Sequence, residues 1–389
     1  MATTFLHGVE VLEVDDGIRP IQTVRSSVIG LAGTAPTAEA ESWPLNTPIL
    51  VTNRRQLATL GATGTLPAAL EGIYDQAGAV VVVVRVDAGA TPAATLSALV
   101  GSSTAGTGVH AFRAAQAALG VTPRILCAPG WTSTRPEGAA NPVVAELLSV
   151  ADALRAVVIA DGPGTTLTDA ISYAGDWGSP RLYIVDPPVM VWDTVLAAPV
   201  TAPASARVAG LIAKVDNDRG FWWSPSNHEI AGIVGISRPI DFALSNANSE
   251  ANLLNEARVA TVIRESGFRL WGNRTTSADQ LWTFLSVRRT ADIIYDSVER
   301  AMLWAMDRPM SRQLFADIEG SVNAYLRELV SLGAIVGGRA WLDADLNTPA
   351  TLQAGKLYVD FDIEPPAPLE RLTFRAHRNA SYWTETLKI

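Results

Sequence analysis

At 389 residues and 41.3 kDa the chain is long enough for two or three domains with a substantial core, and 48% hydrophobic against 18% charged residues excludes global disorder. Thirty basic against 39 acidic residues leave a formal net charge of -9, which argues against a counterion-releasing grip on nucleic acid by the chain as a whole. One cysteine excludes an intrachain disulfide, four scattered histidines offer no zinc-ligand spacing, and the longest purely apolar stretch (79–84) falls far short of the ~20 residues a membrane helix needs.

The first twenty residues, MATTFLHGVEVLEVDDGIRP, mix β-branched and apolar residues without a core-sized run. They stop at Gly17 and Pro20 and read as an extended arm; with no basic stretch ahead of an apolar one, the protein is expected to be made and kept in a cytoplasm-like compartment, or to leave it by a route other than secretion. From Ile21 the text IQTVRSSVIGLAGTAP predicts a strand, and WPLNTPILVTN predicts another bounded by prolines. Between about residues 74 and 188 the pattern changes. AVVVVVRV (79–86), RILCAP (124–129), AVVIADGPG (156–164) and RLYIVDPP (181–188) are near-continuous apolar runs, as expected of strands covered on both faces. Helix-length stretches separate them, such as 142–154, where Val144, Leu147, Leu148 and Ala151 share a face. Such alternation predicts an α/β part with a mostly parallel sheet.

Beyond Ser249 the spacing predicts a helix with Glu250 in its first turn, a face of Leu253, Leu254, Ala257, Ala260 and Ile263, and an end at Arg264 before Gly267. A second helix carries Ile294, Val298, Ala301, Met302 and Ala305 and breaks at Pro309; a third carries Leu314, Ile318, Val322, Tyr325 and Leu329 and stops at Gly333. Leu357, Val359, Phe361 and Ile363 then alternate with Lys356, Tyr358, Asp360 and Asp362 in a strand, with AIVGGRAWLD as its antiparallel partner. After the Glu364-Pro-Pro-Ala-Pro linker, Leu372, Phe374 and Ala376 alternate with Thr373, Arg375 and His377, a second strand-forming arm. In the first arm Phe5, Val9 and Val11 oppose Leu6, Leu12 and Val14, a two-faced pattern suited to a strand inside a sheet.

Chemistry is sparse. The run AVVIADGPGTT ends in Asp161, Gly162, Pro163 and Gly164 as phosphate-binding loops do, but Leu167 stands where the third glycine of a dinucleotide fingerprint belongs, and no Lys-Ser or Lys-Thr follows. A strand-end turn accounts for it; an α/β nucleotide-binding or hydrolase-like enzyme using this loop is the rival reading. No G-x-S-x-G elbow occurs, and Cys127 inside an apolar run reads as buried and inert. His228 beside Glu229 lacks the third member of a catalytic set. Asp15 with Asp16, and Asp343 with Asp345, read as solvated turns without a full ligand loop. No catalytic residue, cofactor or metal is expected. Of 11 tryptophans, Trp222, Trp223, Trp271, Trp282, Trp304, Trp341 and Trp383 fall in the second half, several beside arginine, as at interface hot spots.

Read together, FLHGVEV, SSVIGLAGTAP, RLYIVDPPVMVWD, GFWWSPSNHEIAGIVGISRPIDF and ANLLNEARVATVIRESGFRLWGNRT resemble the tail sheath proteins of contractile phages and R-type pyocins. The resemblance implies a non-enzymatic subunit that polymerises with itself as stacked hexameric rings around a tail tube. The sheath contracts to drive the tube through a target envelope. Its partners would be the tube, baseplate and tail terminator proteins, with no nucleic acid and no membrane insertion. Its place would be the virion tail, assembled in the bacterial cytoplasm. The implied division is an arm at 1–20 and a mainly outer α/β domain at 21–250, whose first strand is allowed in the inner domain. An α+β inner domain facing the tube would follow at 251–368, its antiparallel sheet completed by strands from neighbouring subunits, and a second arm at 369–389. Phe5, Leu6, Val9, Val11, Leu12, Val14, Leu372, Phe374 and Ala376 would be the intersubunit contacts. Asp317, Glu319, Arg327 and Glu328, on the polar side of the third helix, are the expected tube-facing set. Trp222, Trp223, Trp271 and Arg274 are expected at the junction of the two domains.

Overall fold

Each of the four apolar runs is a strand of one sheet. The computed structural model describes residues 19–386, and the amino-arm residues Phe5, Leu6, Val9, Val11, Leu12 and Val14 lie outside them. The strands are β1 (Ile29–Thr34), β2 (Pro48–Val51), β3 (Val81–Val86), β4 (Ile125–Cys127), β5 (Val157–Asp161), β6 (Leu182–Val185), β7 (Val189–Asp193), β8 (Ala198–Ala202), β9 (Gly235–Ile236), β10 (Val259–Arg264), β11 (Phe268–Trp271), β12 (Gly337–Leu342) and β13 (Val359–Glu364). The helices are α1 (Leu66–Tyr74), α2 (Pro92–Val100), α3 (Ala115–Leu119), α4 (Pro142–Leu154), α5 (Leu167–Gly175), α6 (Ser205–Arg219), α7 (Glu250–Glu256), α8 (Leu285–Ala301), α9 (Arg312–Leu332), α10 (Pro349–Gln353) and α11 (Tyr382–Thr386).

The large sheet has the order β11-β10-β6-β5-β4-β1-β3-β2. Its six central strands are parallel, and an antiparallel strand closes each edge. Successive residues feed two cores: Ile29, Leu31, Val81 and Val83 pack on one face with Leu70 and Ile73 of α1 and Val208, Leu211 and Ile212 of α6. Val82, Val84, Leu126 and Val158 pack on the other with Val144, Leu147 and Ala151 of α4. Cover on both faces is why these strands lack polar alternation. A separate three-stranded sheet, β8-β7-β9, is antiparallel.

The expected single helix from Ser249 to Arg264 is two elements. α7 ends at Glu256, Arg258 takes a left-handed φ of 65°, and Val259, Thr261, Val262 and Ile263 enter β10. Three β-branched residues in a row, 261–263, favour the strand, and burial of 259–263 overrides the helical spacing. The large sheet therefore runs on through β11, past the expected boundary at 250/251. Likewise β1 begins only at Ile29 and lies inside the large sheet, whereas Ile21 and Val24, read as the start of that strand, join a third core.

That third core lies under the two-stranded sheet of β12 and β13, where Ile293 and Ile294 of α8 meet Val322, Tyr325, Leu326 and Leu329 of α9. Gly333 caps α9 in the left-handed region, as its position just past the last apolar residue predicts.

Candidate assembly site

The β12–β13 hairpin has two edges of different character. On β12, the Asn323 side chain of α9 donates to the Ala340 carbonyl and accepts from the Ala340 N–H, both at 2.9 Å. Ala340 is thereby turned away from its cross-strand partner Phe361, so the pair is non-hydrogen-bonded and the Phe361 main-chain groups point to the opposite edge of β13. That second edge pairs with no strand among the described residues. Val359, Phe361 and Ile363 face the third core, Phe361 edge-on to Tyr295 at 5.9 Å, and Asp360, Asp362 and Glu364 occupy the other face. Burial and the neighbouring Asp343 push the Asp360 carboxyl above the ordinary range.

The segment leading in from the amino end is fastened to the same unit. The Arg19 N–H donates to Ser321 Oγ (3.2 Å), the Val24 N–H to Ser297 Oγ (3.1 Å), and Thr23 Oγ1 meets Tyr325 OH at 3.1 Å. The guanidinium groups of Arg19 and Arg308 both lie against the Trp304 ring, at 5.1 and 5.0 Å from its centre. At the other end, Glu370 takes two hydrogen bonds from Arg274, at 2.7 and 2.5 Å, which together with the charge of Glu370 raise the Arg274 pKa. Every residue from 369 to 383 is exposed, including Leu372 at 64% and Phe374 at 86%, and Ala376 is exposed with them. No β-partner for 372–376 occurs among the described residues.

The large sheet and the hairpin unit meet through charge. α8 carries Asp292, Asp296 and Glu299 at i, i+4 and i+7, a single stripe. Facing it are Arg124, Arg155 and Arg181, each just before one of the adjacent strands β4, β5 and β6. Arg181 donates to Asp292 at 2.5 and 3.1 Å, Arg155 to Asp296 at 2.5 Å and also to Glu299, and Arg124 pairs with Asp296. One turn earlier, Arg289 donates to the buried Asp216 of α6 at 2.8 and 2.6 Å. Sequence reasoning missed this junction, although an arginine directly ahead of three successive apolar runs was a visible signal.

The residues expected at the junction are scattered. Trp222 packs on the third core, edge-on to Phe221 at 5.1 Å, and Trp223 is 43% exposed beside Arg219. Trp271 is half-buried on the edge strand β11, 5.0 Å from Phe242, while Arg274 holds Glu370. On α9, Arg327 and Glu328 are exposed; Asp317 and Glu319 are half-buried, and Asp317 accepts from Gln313 at 2.7 Å.

The Asp161 loop is occupied by the protein itself. Asp161 is buried and accepts from the Ser205 N–H (2.8 Å) and hydroxyl (2.6 Å), fastening the start of α6 to the end of β5. Burial raises its pKa and the Ser205 bonds oppose that rise. The Gly164 N–H, which a phosphate loop would offer to a ligand, donates to Asp186 at 2.6 Å. Cys127 is buried, its thiol pKa raised by desolvation, and His228 Nδ1 lies 3.0 Å from the Ser226 carbonyl. Among the described residues no group of three or more potential metal ligands converges, and no helix is long and apolar enough to cross a membrane.

Three family models match nearly end to end: the Tail sheath protein Gp18 domain III N-terminal region over 26–86, the Phage tail sheath protein central domain over 104–276 and the Phage tail sheath C-terminal domain over 277–378. A prophage major tail sheath protein of Pseudomonas aeruginosa is 40% identical over 391 residues, spanning 99% of this chain and 100% of the relative. The chain belongs to the phage tail sheath family. The tail sheath protein of Escherichia phage P2 is 39% identical, spanning 97% of this chain and 96% of its own. Two contracted sheaths share the fold: the PVC sheath complex of an extracellular contractile injection system, with a TM-score of 0.72 at 17% identity, and the helical sheath of the anti-feeding prophage, with 0.73 at 19%. They cover 98% and 97% of this chain, and each is itself covered completely. This tail sheath protein is accordingly a structural component of a phage-type tail. The family's division at 276/277 falls after β11, between the large sheet and α8.

Proposed function

We propose that this sheath subunit polymerises as stacked hexameric rings around a tail tube and contracts to drive that tube through a cell envelope, without catalysis. The observation that carries the reading is the exposed carboxy-terminal arm that follows a hairpin whose β13 edge pairs with no strand among the described residues. An alternating apolar segment and an unpaired strand edge on one chain invite strand addition between copies. The amino-terminal arm would be the second tether, and Phe5, Leu6, Val9, Val11, Leu12 and Val14 its contact residues. The large sheet would form the outer layer and the hairpin unit the inner one. Asp317, Glu319, Arg327 and Glu328 remain the proposed tube-facing set; baseplate and terminator proteins would bind the ends of the polymer, which would assemble in the bacterial cytoplasm. Contraction needs only two packings of the same subunits that differ in free energy, joined by tethers that survive the change. Negative-stain microscopy of the purified full chain should show tubes or rings. Chains lacking residues 2–19 or 369–389 should remain folded and fail to polymerise; normal-length sheaths from both would overturn the tether reading.

A further inference from the structure

We propose that the outward face of the three-stranded sheet β8-β7-β9, together with the β7–β8 turn at its end, docks on a second copy of this chain in the assembled sheath. The proposal rests on the polymer reading above and gives the large-sheet unit a contact surface of its own, independent of either arm. Val189 is buried in the core on one side of the large sheet, and Val191, Ala202 and Ile236 pack against that core, which fixes the inner face. Alternation then turns Met190 and Trp192 outward, paired with Thr201 and Pro199 of β8. Gly235 of β9 pairs with Met190, and a Cβ added there would stand 3.7 Å from the Met190 Cβ, so the two share a side. An antiparallel sheet with one face on a core ordinarily offers polar residues to water. Here the outer face holds no charged residue, and its Trp192 is 55% exposed. The turn continues that surface: Val195 is 91% and Leu196 67% exposed. The Asp193 carboxylate accepts from the N–H groups of both, at 2.8 and 2.9 Å, and Ala197 takes a left-handed φ of 48°. The tip is thus held in shape by its own hydrogen bonds, and little freedom is lost when it docks.

Chemistry and size select the partner. Asp193 is the one charged residue in 187–202 and 230–237, and no lysine or arginine lies between Arg181 and Arg207. An anionic lipid surface or a nucleic acid would need cations there. The centre of a protein–protein contact is instead poor in charge and rich in tryptophan. An apolar patch of this kind covers about 300–600 Å², less than the roughly 800 Å² per partner of a stable pair. Two copies in dilute solution therefore stay apart, whereas a polymer repeats the contact at every subunit and adds it to its other contacts. Rings and helices are built from head-to-tail contacts, so the receiving surface is a different part of the neighbouring copy.

The test uses full-length chains carrying Val195→Cys, a substitution at a solvent-exposed tip; Cys127 is buried and silent. Maleimide should modify position 195 quickly in unpolymerised subunits and roughly ten-fold more slowly in tubes, because a docked tip is closed to water. In a second arm, Trp192→Lys should leave the urea midpoint of unpolymerised subunits unchanged, as surface substitutions do. The same variant should raise the concentration at which tubes form by roughly ten-fold. Equal labelling of position 195 in subunits and tubes would refute the docking while leaving the sheath reading standing, and so would tubes from Trp192→Lys at the wild-type concentration. Protection of position 195 that grows with subunit concentration before any tube forms would reveal a self-complementary pair and overturn the head-to-tail contact. Binding of wild-type subunits to vesicles of phosphatidylcholine and phosphatidylglycerol, lost in Trp192→Lys, would overturn the protein partner. Absence of tubes from the wild-type chain would overturn the sheath reading and this proposal with it.

Discussion

Asp292 is the most heavily bonded carboxylate of the junction between the two units, and its removal should be felt by the whole subunit. Its side chain is 3% exposed and accepts four hydrogen bonds, from Arg181 at 2.5 and 3.1 Å and from Arg288 at 3.2 and 2.6 Å. Both guanidinium groups are themselves nearly buried, at 12% and 11% exposure. Asp292→Ala would leave two cations facing one another without their shared anion, and breaking a buried pair from one side costs about 3–5 kcal/mol. Two turns further along the same stripe, Glu299 is 68% exposed and its bond to Arg155 lies in water. Glu299→Ala should cost no more than about 0.5 kcal/mol, as for exposed pairs in general. Urea unfolding of unpolymerised subunits reads both numbers from the shift in midpoint at constant slope. Equal costs at the two positions, or a loss below about 1 kcal/mol at Asp292, would refute the view that burial of this stripe joins the units.

Gly272, in the Leu-Trp-Gly-Asn-Arg-Thr segment, has a φ of 124°, and a Cβ there would stand 2.6 Å from Asn255 Oδ1 and 3.1 Å from the Ala260 Cα. Gly272→Ala should therefore cost about 1–3 kcal/mol by the same urea assay, and a neutral result would contradict the strain. Trp271 is only half-buried, so Trp271→Ala should lower stability by less than the ~3–5 kcal/mol of a fully buried tryptophan. Asp161 has a folded pKa raised above its unfolded value, so its protonation favours folding below the unfolded pKa and that contribution fades as pH rises through the folded one. The stability of Asp161→Asn relative to wild type should accordingly climb between acidic and neutral pH; a flat difference would show that the Ser205 hydrogen bonds cancel the burial.

What the sequence disclosed depended on how far apart the partners lie. β3, β4, β5 and β6 were legible because a strand covered on both faces needs apolar residues throughout, and that need is written within a few consecutive positions. The hairpin of β12 and β13 was legible for the complementary reason: one face meets the third core and the other meets water, so the alternation survives. β10 was not, because Leu253, Leu254, Ala257, Ala260 and Ile263 fit a helical face as well as they fit a short helix followed by a buried strand. The junction stripe escaped because Asp292 is 111 residues from Arg181 in sequence, and only the side-by-side order of β4, β5 and β6 turns three separate arginines into a row. Aromatic residues drew attention toward Trp222, Trp223 and Trp271 instead, although packing on local neighbours accounts for each of them.

The row of arginines has a practical corollary for dissecting the molecule. A chain cut between residues 276 and 277 keeps every strand of the large sheet on one piece, and each half then exposes its share of the ladder: Arg124, Arg155, Arg181 and Asp216 on one piece, Asp292, Asp296, Glu299 and Arg289 on the other. The halves are charge-matched and built to find each other, so they should behave as a split pair that reconstitutes on mixing at low ionic strength and loosens as salt screens the encounter.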